Sequence, residues 1–354
     1  MKIAHVDFGK EWRGGQRQTL LLHQGLLKQN FTSFLICNSD GELLKNHAEN
    51  TQAFRFTGEA SFFGALRLSK LIKKLAPDIV HSHDAHSLTP LLILKILGAP
   101  FKLVHTRRVD FPVKTLKKYN NRHINLAAIS QGVKDVLVNC GVTGDIPIVY
   151  SGVPVPAFPS EYDAETERNA LGLPSDYMVF GTAANFAPHK DFPTMLKAFN
   201  EYLSTGGKGK LLLVGGGKGF DESVRLAENL GITKDTIFTG FKEDVAKYLK
   251  CMDIYIVTSS SEGLNTSIID AMHASLPIIA SKVGGIPELV RNGENGYLVE
   301  AGDYRAFASA MHRLSEEPAI RNAFSKSSLQ RGKSFTDQFM TNGYIGLYQS
   351  LSGI

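Results

Sequence analysis

Short apolar runs alternate with amphipathic stretches along the whole chain. In the first half KIAHVDF, SFLICN, DIVHSH, FKLVHT, LAAIS and IPIVYSGV predict strands, and residues 16–28 and 65–75 carry helical periodicity between them. A second series begins at Tyr177 with MVFGTAAN, KLLLVGGG, TIFTGF, DIYIVTS, LPIIASK and GYLVEAG. Strand and helix in strict alternation predict an α/β chain with parallel, doubly wound sheets. Two Rossmann-like domains in tandem follow, with ligand expected in the cleft that their strand C-termini face. The proline-rich VPVPAFPS at 153–160 is the candidate linker. The expected domains are 1–155 and 156–334, followed by a final helical segment, 335–354, with aromatics at Phe339, Tyr344 and Tyr348.

Composition supports this division, because 354 residues with 43% hydrophobic content can fill two cores. Cys37, Cys140 and Cys251 lie far apart and form no CxxC pair, so neither a zinc site nor a disulfide framework is expected, and a reducing cytoplasm fits. The opening MKIAHVDFGK turns polar too soon for a signal peptide. The oiliest stretch, 88–104, is broken by Lys95, Gly98, Pro100 and Lys102, so no transmembrane helix is expected. A cytoplasmic protein is expected, with a peripheral place on the inner face of the cell membrane left open.

Charge is uneven. Residues 1–155 hold 20 Lys and Arg against 11 Asp and Glu, and the remainder 19 against 23. Much of the excess lies in Arg107, Arg108, Lys114, Lys117, Lys118 and Arg122, with Phe111, Val113, Leu116 and Tyr119 interleaved. This stretch reads either as a solvated basic helix or as a surface for an anionic membrane or a phosphorylated acceptor. No nucleic-acid-binding motif accompanies it.

The most informative segment is DIYIVTSSSEGLNTSIIDAMHASLPIIASKVGGIPELVRNGENGYLV, residues 253–299. A strand ends at Thr258, a serine run and Gly263 make a tight turn, and a helix starts near Asn265 and Thr266, which leaves backbone N–H groups for a diphosphate. Glu262 in the turn and Asp270 two turns into the helix can face one ligand at different depths. Gly284 and Gly285 before Ile286-Pro287-Glu288 form a second glycine turn with proline in the first helical turn.

These motifs resemble the family-four glycosyltransferases, retaining GT-B enzymes whose signature is a glutamate, seven residues and a second acidic residue, here Glu262 and Asp270. The resemblance extends through KLLLVGGG, TIFTGFKEDVAKYLKCMDIYIVTSS and NGYLVEAGD, and more loosely through Trp12-Arg13-Gly14-Gly15, DIVHSHDAHS, KLVHTRR and the final FTDQFMTNGYIGLYQSL. It implies a GT-B architecture whose second domain holds a nucleotide-sugar donor, with Glu262 near the sugar hydroxyls, Asp270 on the ribose and Lys190 of APHKD neutralising the diphosphate. His105 would lie beside the donor sugar. With His105, Glu262 and Lys190 as catalytic candidates, the implied donor set comprises Gly14, Gly15, Asn185, Lys190, Gly215, Gly216, Glu262, Gly263, Leu264, Asn265, Thr266 and Asp270. Trp12, Arg13, His83, Arg107 and Arg108 form the acceptor side. Asp270 replaces the usual glutamate, and Asn185 stands where many relatives have the arginine of a GRLxxxK motif. Its absence places more of the phosphate charge on Lys190, or recruits Arg13 or Arg17.

Each residue also has a plainer reading. The group His81, His83, Asp84 and His86 has the alternation of a metal site, but the family uses this strand end to line the cleft, so no metal is expected. No Asp-x-Asp motif of the metal-dependent transferases is present either. The glycines at 215–217 can serve only a close turn. Trp12 can staple the next helix as readily as receive an acceptor.

The expected activity is transfer of a hexose or related sugar, with retention, from a UDP-, GDP- or ADP-sugar to a membrane-linked glycolipid or lipopolysaccharide-core saccharide. The rivals are a soluble acceptor, a catalytically weak binding subunit, and a nucleotide-sugar epimerase.

Overall fold

The structure, a computed structural model, describes residues 1–46, 48–59, 61–156 and 164–353. It divides into two compact units, Met1–Pro154 with Phe335–Ile354, and Val155–Ser334. Positions 157–160 of the expected linker, and 161–163 after them, lie outside the described residues.

The first unit runs β1 (Lys2–Asp7), α1 (Gly14–Lys28), β2 (Thr32–Asn38), β3 (Thr51–Phe54), α2 (Phe62–Leu75), β4 (Ile79–Ser82), α3 (Ala85–Ile96), β5 (Lys102–Arg107), α4 (Leu116–Tyr119), β6 (Ile124–Ala128) and α5 (Gln131–Asn139). The second runs α6 (Ala164–Ala170), β7 (Met178–Ala183), α7 (Phe192–Ser204), β8 (Gly209–Val214), α8 (Phe220–Asn229), β9 (Thr236–Gly240), α9 (Ala246–Lys250), β10 (Ile254–Val257), α10 (Thr266–His273), β11 (Ile278–Ser281), α11 (Ile286–Leu289), β12 (Gly296–Val299), α12 (Tyr304–Glu316) and α13 (Pro318–Gly332). The chain ends in α14 (Asp337–Ser352), which belongs to the first unit.

Each unit has one six-stranded sheet, ordered β3-β2-β1-β4-β5-β6 and β12-β11-β10-β7-β8-β9, with its named strand pairs parallel. Counted from the first strand of its own unit, each has the same doubly wound order. In both, the order reverses beside the first strand, between β1 and β4 and between β7 and β10. Crevices at the C-terminal ends of such strand pairs are where doubly wound sheets bind ligands.

Near-continuous apolar strands such as Leu211, Leu212 and Leu213 are buried on both faces, as helix-covered parallel sheets require. The helix α14 is held in the first unit by Met340, Tyr344 and Tyr348, which pack with Ile3, Leu22, Leu26, Ile79 and Val104. Where the chain enters it, Val153 N–H donates to the Phe335 carbonyl and Asp337 N–H to the Val153 carbonyl. Gly152 lies so close that a Cβ there would stand 2.0 Å from the Thr336 carbonyl oxygen.

Two strand expectations need correction. IPIVYSGV forms no strand and only two isolated bridges, Ala128 to Ile148 and Val153 to Thr336, because Pro147 has no N–H to extend a ladder at the sheet edge. The edge strand β3 was absent from the expected set, since its TQAF is too short and polar to show a period. The predicted start of α2 moves back to Phe62 because Ser61 caps it, its hydroxyl accepting from Gly64 N–H at 3.1 Å.

Candidate functional site

In the second unit the loop after β7 and the loop after β10 meet at the reversal point. Lys190 sits in a short turn after β7, and its Nζ donates to Glu262 Oε1 at 2.5 Å. The same oxygen accepts from the Ser259 hydroxyl at 2.8 Å and from Asn265 Nδ2 at 2.9 Å. Both partners are largely withdrawn from water, with side-chain exposures of 16% for Lys190 and 9% for Glu262. Burial of such a pair is tolerable only with further hydrogen bonds, and Ser259 and Asn265 add two to the shared carboxylate oxygen.

The two loops are also joined through backbone. Thr258 Oγ1 donates to the carbonyls of Lys190 and Asp191, and Ser260 N–H to that of His189. Asn265 adopts a left-handed backbone, φ 72°, and caps α10 by accepting from Ile268 N–H. Thr266 opens the helix, Leu264 is buried beneath the turn, and the second glycine turn is tied back by Gly285 N–H to the Glu262 carbonyl. A small pocket here is lined by Thr182, Ala184, Lys190, Thr258, Ser259 and Asn265.

Gly215, just past β8, has φ 138°, and a Cβ on it would stand 1.9 Å from the Ala184 carbonyl oxygen. The glycine is therefore needed for the β7 and β8 loops to close. Gly216 accepts from Phe186 N–H in the same contact, while Asn185 itself is exposed. Asp270 is half-buried on α10, and its charge adds to the burial that raises the Tyr255 phenol. Tyr255 Oη is bonded to both the N–H and the carbonyl of Ala183. Sequence reasoning missed Tyr255 and Ser259: a tyrosine inside an apolar strand gives no sign of its hydroxyl partner, and Ser259 is one of three serines in a row.

In the first unit, the reversal point holds two carboxyls. Asp7 Oδ1 accepts from Gly9 N–H and Gln16 Nε2, each at 3.0 Å, and its Oδ2 from Thr19 Oγ1 at 2.9 Å. Asp84 caps α3 through Ser87 N–H and also accepts from Phe8 N–H. Burial, then the neighbouring Asp7 charge, pushes the Asp84 carboxyl up to about 7.

Beside them lies a network of histidines. His83 and His81 lie with ring centroids 3.9 Å apart, tilted by 37°, and His5 Nδ1 meets His83 Nε2 at 2.9 Å. Arg108 Nη2 approaches His83 Nδ1 at 3.1 Å. A guanidinium only donates, so in the neutral ring His83 Nδ1 accepts, its proton sits on Nε2, and His5 receives it on Nδ1. The His5 proton then lies on Nε2, which has no partner among the described residues. His81 is bonded at both nitrogens, to Tyr348 Oη at 2.6 Å and Thr106 Oγ1 at 2.7 Å. Burial first, then the neighbouring histidines and Arg108, holds His5, His81 and His83 well below the usual imidazole range.

One nitrogen each of His5, His81 and His83 could surround an ion, all within 4.8 Å. The set does not suit a divalent cation, because both His81 nitrogens already serve hydroxyls, no carboxylate joins, and a guanidinium stands against His83. The four residues grouped from sequence separate: Asp84 caps a helix and His86 is exposed, bonded to Glu59 at 3.0 Å. His5 was missed because it lies on another strand, brought alongside by the β1–β4 pairing of His5 with His81.

His105 is buried, with Nδ1 3.0 Å from Ser82 Oγ and its ring against Tyr119. Burial, then the Lys118 and Arg107 charges, brings it down to about 3. Gly14 and Gly15 open α1, Arg13 precedes them with its guanidinium on Glu11, and Trp12 is exposed. The Arg108 side chain passes over Gly15, where a Cβ would stand 3.8 Å from Cδ.

Of the two readings of the basic stretch 107–122, the solvated helix needs correction, since only Leu116–Tyr119 is helical. Arg107 is turned inward on its own loop, donating to the carbonyls of Val109 and Phe111 and to Tyr119 Oη. Lys118 Nζ is likewise held by Thr89 Oγ1 and the Ala85 carbonyl.

Residues 163–331 match the sequence family described as glycosyl transferases group 1, and residues 12–155 match Glycosyltransferase Family 4. The chain belongs to the family-four glycosyltransferases. This glycosyltransferase is 23% identical over 92% of its length to a UDP-Gal:alpha-D-GlcNAc-diphosphoundecaprenol alpha-1,3-galactosyltransferase of Escherichia coli, covering 91% of that protein. It is 26% identical to the lipopolysaccharide core biosynthesis glycosyltransferase LpsE of Rhizobium meliloti, with 99% of each chain covered. A crystal structure of Anabaena HepE in complex with UDP superposes with a TM-score of 0.86 at 19% identity over 100% of both chains. The glycosyltransferase has the two-domain, Rossmann-like GT-B fold, the tandem domains as expected from its alternating pattern and the GT-B architecture as the resemblance implied. No helix among the described residues is long and apolar enough to cross a membrane.

Proposed function

We propose that this glycosyltransferase moves a hexose or related sugar from a nucleoside-diphosphate sugar to a lipid-linked or lipopolysaccharide-core saccharide, with retention at the anomeric carbon and without a resident metal. The observation that carries the reading is the Lys190–Glu262 pair at the β7/β10 reversal point, beside the N-terminus of α10. As the bond from sugar to diphosphate breaks, negative charge grows on the leaving oxygen. A fixed ammonium and helix N-terminal amides there stabilise it more in the transition state than in the ground state. Glu262 holds Lys190 in place and offers a carboxylate to sugar hydroxyls, while Asp270 serves the ribose. The names of the Escherichia coli and Rhizobium relatives support the acceptor class, and the UDP complex of HepE supports a nucleotide-sugar donor.

The domain roles follow in the proposal: donor on the second unit, acceptor on the first, where Trp12, His83, His105 and Arg108 serve the acceptor and the reacting sugar. Place of action is the cytoplasmic side of the membrane, where nucleotide sugars are expected.

Thermal unfolding with UDP-, GDP-, ADP- and CMP-sugars in the presence of a chelator tests the donor, because a ligand bound only by the folded state raises the melting temperature. One nucleotide class should stabilise the wild type and stabilise Lys190→Ala less. No shift with any of them overturns the reading, and a shift that requires added divalent metal overturns its metal-free form. The anomeric configuration of the product, read by NMR, tests retention.

A further inference from the structure

The helix α2, FFGALRLSKLIKKL, buries Gly64, Leu68 and Ile72 at helical spacing and packs on α3. Its opposite face is formed by Phe63, Leu66, Arg67, Lys70, Lys73 and Lys74, which fall at i, i+3, i+4, i+7, i+10 and i+11 and are all exposed. This stripe is apolar at one end and cationic along the rest. Phe63 is 77% exposed and Leu66 45%, an unusual outlay of apolar surface for a helix in water. The helix contains no acidic residue. None of the ion pairs found among the described residues engages Arg67, Lys70, Lys73 or Lys74. Arg67 is anchored by the Arg55 carbonyl at 3.2 Å and lies over the Phe54 ring, so its charge is held on this face. A shallow groove lined by Thr57, Ser61, Phe63, Leu66, Arg67 and Lys70 runs alongside.

We infer that this face of α2 docks the protein on an anionic lipid bilayer, with Phe63 and Leu66 entering the headgroup and acyl boundary and the four cations meeting lipid phosphates. A polyanion alone would reward the cations but not the exposed Phe63 and Leu66, whereas a bilayer surface rewards both. Ile93 and Ile96 of the neighbouring helix α3, and Leu97 just after it, are also exposed and belong to the oiliest segment in the sequence. The face lies elsewhere than the basic stretch 107–122, two of whose cations are turned inward. The inference extends the lipid-linked acceptor proposed above, and it is read by binding alone, so its failure leaves the transferase reading standing.

Sedimentation of the full chain with vesicles of phosphatidylcholine, with and without phosphatidylglycerol, is the test. The wild type should pellet with the anionic vesicles and be released by high salt. Lys70→Gln/Lys73→Gln/Lys74→Gln should lower the partition coefficient about 100-fold, taking about 1 kcal/mol per basic residue. Phe63→Ser should lower it about tenfold. Lys114→Gln/Lys117→Gln/Arg122→Gln, which changes exposed cations of the other basic stretch, should leave it unchanged. All substitutions are at exposed positions, and unaltered melting temperatures confirm that the variants fold. Failure of the wild type to bind, or loss confined to the 114/117/122 variant, overturns the inference. Binding unaffected by Phe63→Ser but abolished by soluble heparin also overturns it, in favour of a polyanion site.

Discussion

The two units share one strand order but put opposite chemistry at the point where that order reverses. In the second unit the crevice holds an ion pair, Lys190 and Glu262, whose shared carboxylate oxygen also accepts from Ser259 and Asn265. In the first it holds Asp7 and an Asp84 pushed up to about 7, backed by imidazoles that burial keeps uncharged. One crevice presents charge ready to meet a diphosphate. The other backs its two carboxyls with imidazoles that burial keeps neutral and hydrogen bonds hold in place. A common backbone topology thus leaves the electrostatics of each crevice to a few side chains at strand ends.

The comparison breaks most sharply at Lys190. Lys190→Ala should cut turnover of a nucleotide sugar by about 100–1000-fold, the usual scale for removing a preorganised charge from a leaving group. The same substitution at an equally basic but outward residue, Lys114→Ala, should leave turnover unchanged. If both variants turn over normally, the charged crevice is not where the leaving group is held.

Gly215→Ala should follow, destabilising the second unit by about 3 kcal/mol through its positive φ and the 1.9 Å approach to the Ala184 carbonyl. Urea unfolding measures the loss. A change well under 1 kcal/mol would show that the β7 and β8 loops are not held together there.

Acid should act on the first unit. His5, His81 and His83 are held well below 6.5 when folded, and His105 down to about 3, so their contribution is complete above about pH 6.5 and is lost as the pH falls. Urea midpoints measured from neutral to mildly acidic pH should fall, and fall less steeply in His83→Gln.

Asp84 runs the other way and should give the smallest effect. Its carboxyl is raised from 3.8 to about 7, so stability present below the lower value is lost as the pH rises through the upper one. Asp84→Asn keeps the helix cap at Ser87 N–H, gives up the bond from Phe8 N–H and removes the charge. Its melting temperature, set against that of the wild type, should stand about 3 °C higher above pH 7 than below about pH 4. Equal differences at both ends of that range would show that Asp84 is ionised throughout.

Much of the candidate donor site was legible because its parts are neighbours in sequence. Glu262, the glycine turn, Asn265 and the start of α10 fall within a few residues, so local backbone rules predict a strand, a tight turn and a capped helix. The network in the first unit was not legible for the converse reason: His5, His83, Arg108, Tyr344 and Tyr348 come from four distant segments. The basic stretch 107–122 misled because composition counts cations without showing which way they point. Arg107 and Lys118 turn inward, while α2 presents four cations and Phe63 outward.

By itself the sequence determined the alternation of elements, and with it two parallel sheets, because apolar periodicity and turn chemistry are local properties of the chain. Only tertiary structure decided partnership: that Lys190 meets Glu262 across 72 positions, that Asp7 and Asp84 crowd one another, and that Tyr348 reaches back 267 positions to His81. Protonation and charge presentation depend on burial and on neighbours at hydrogen-bond distance, and those are set by how strands and helices pack.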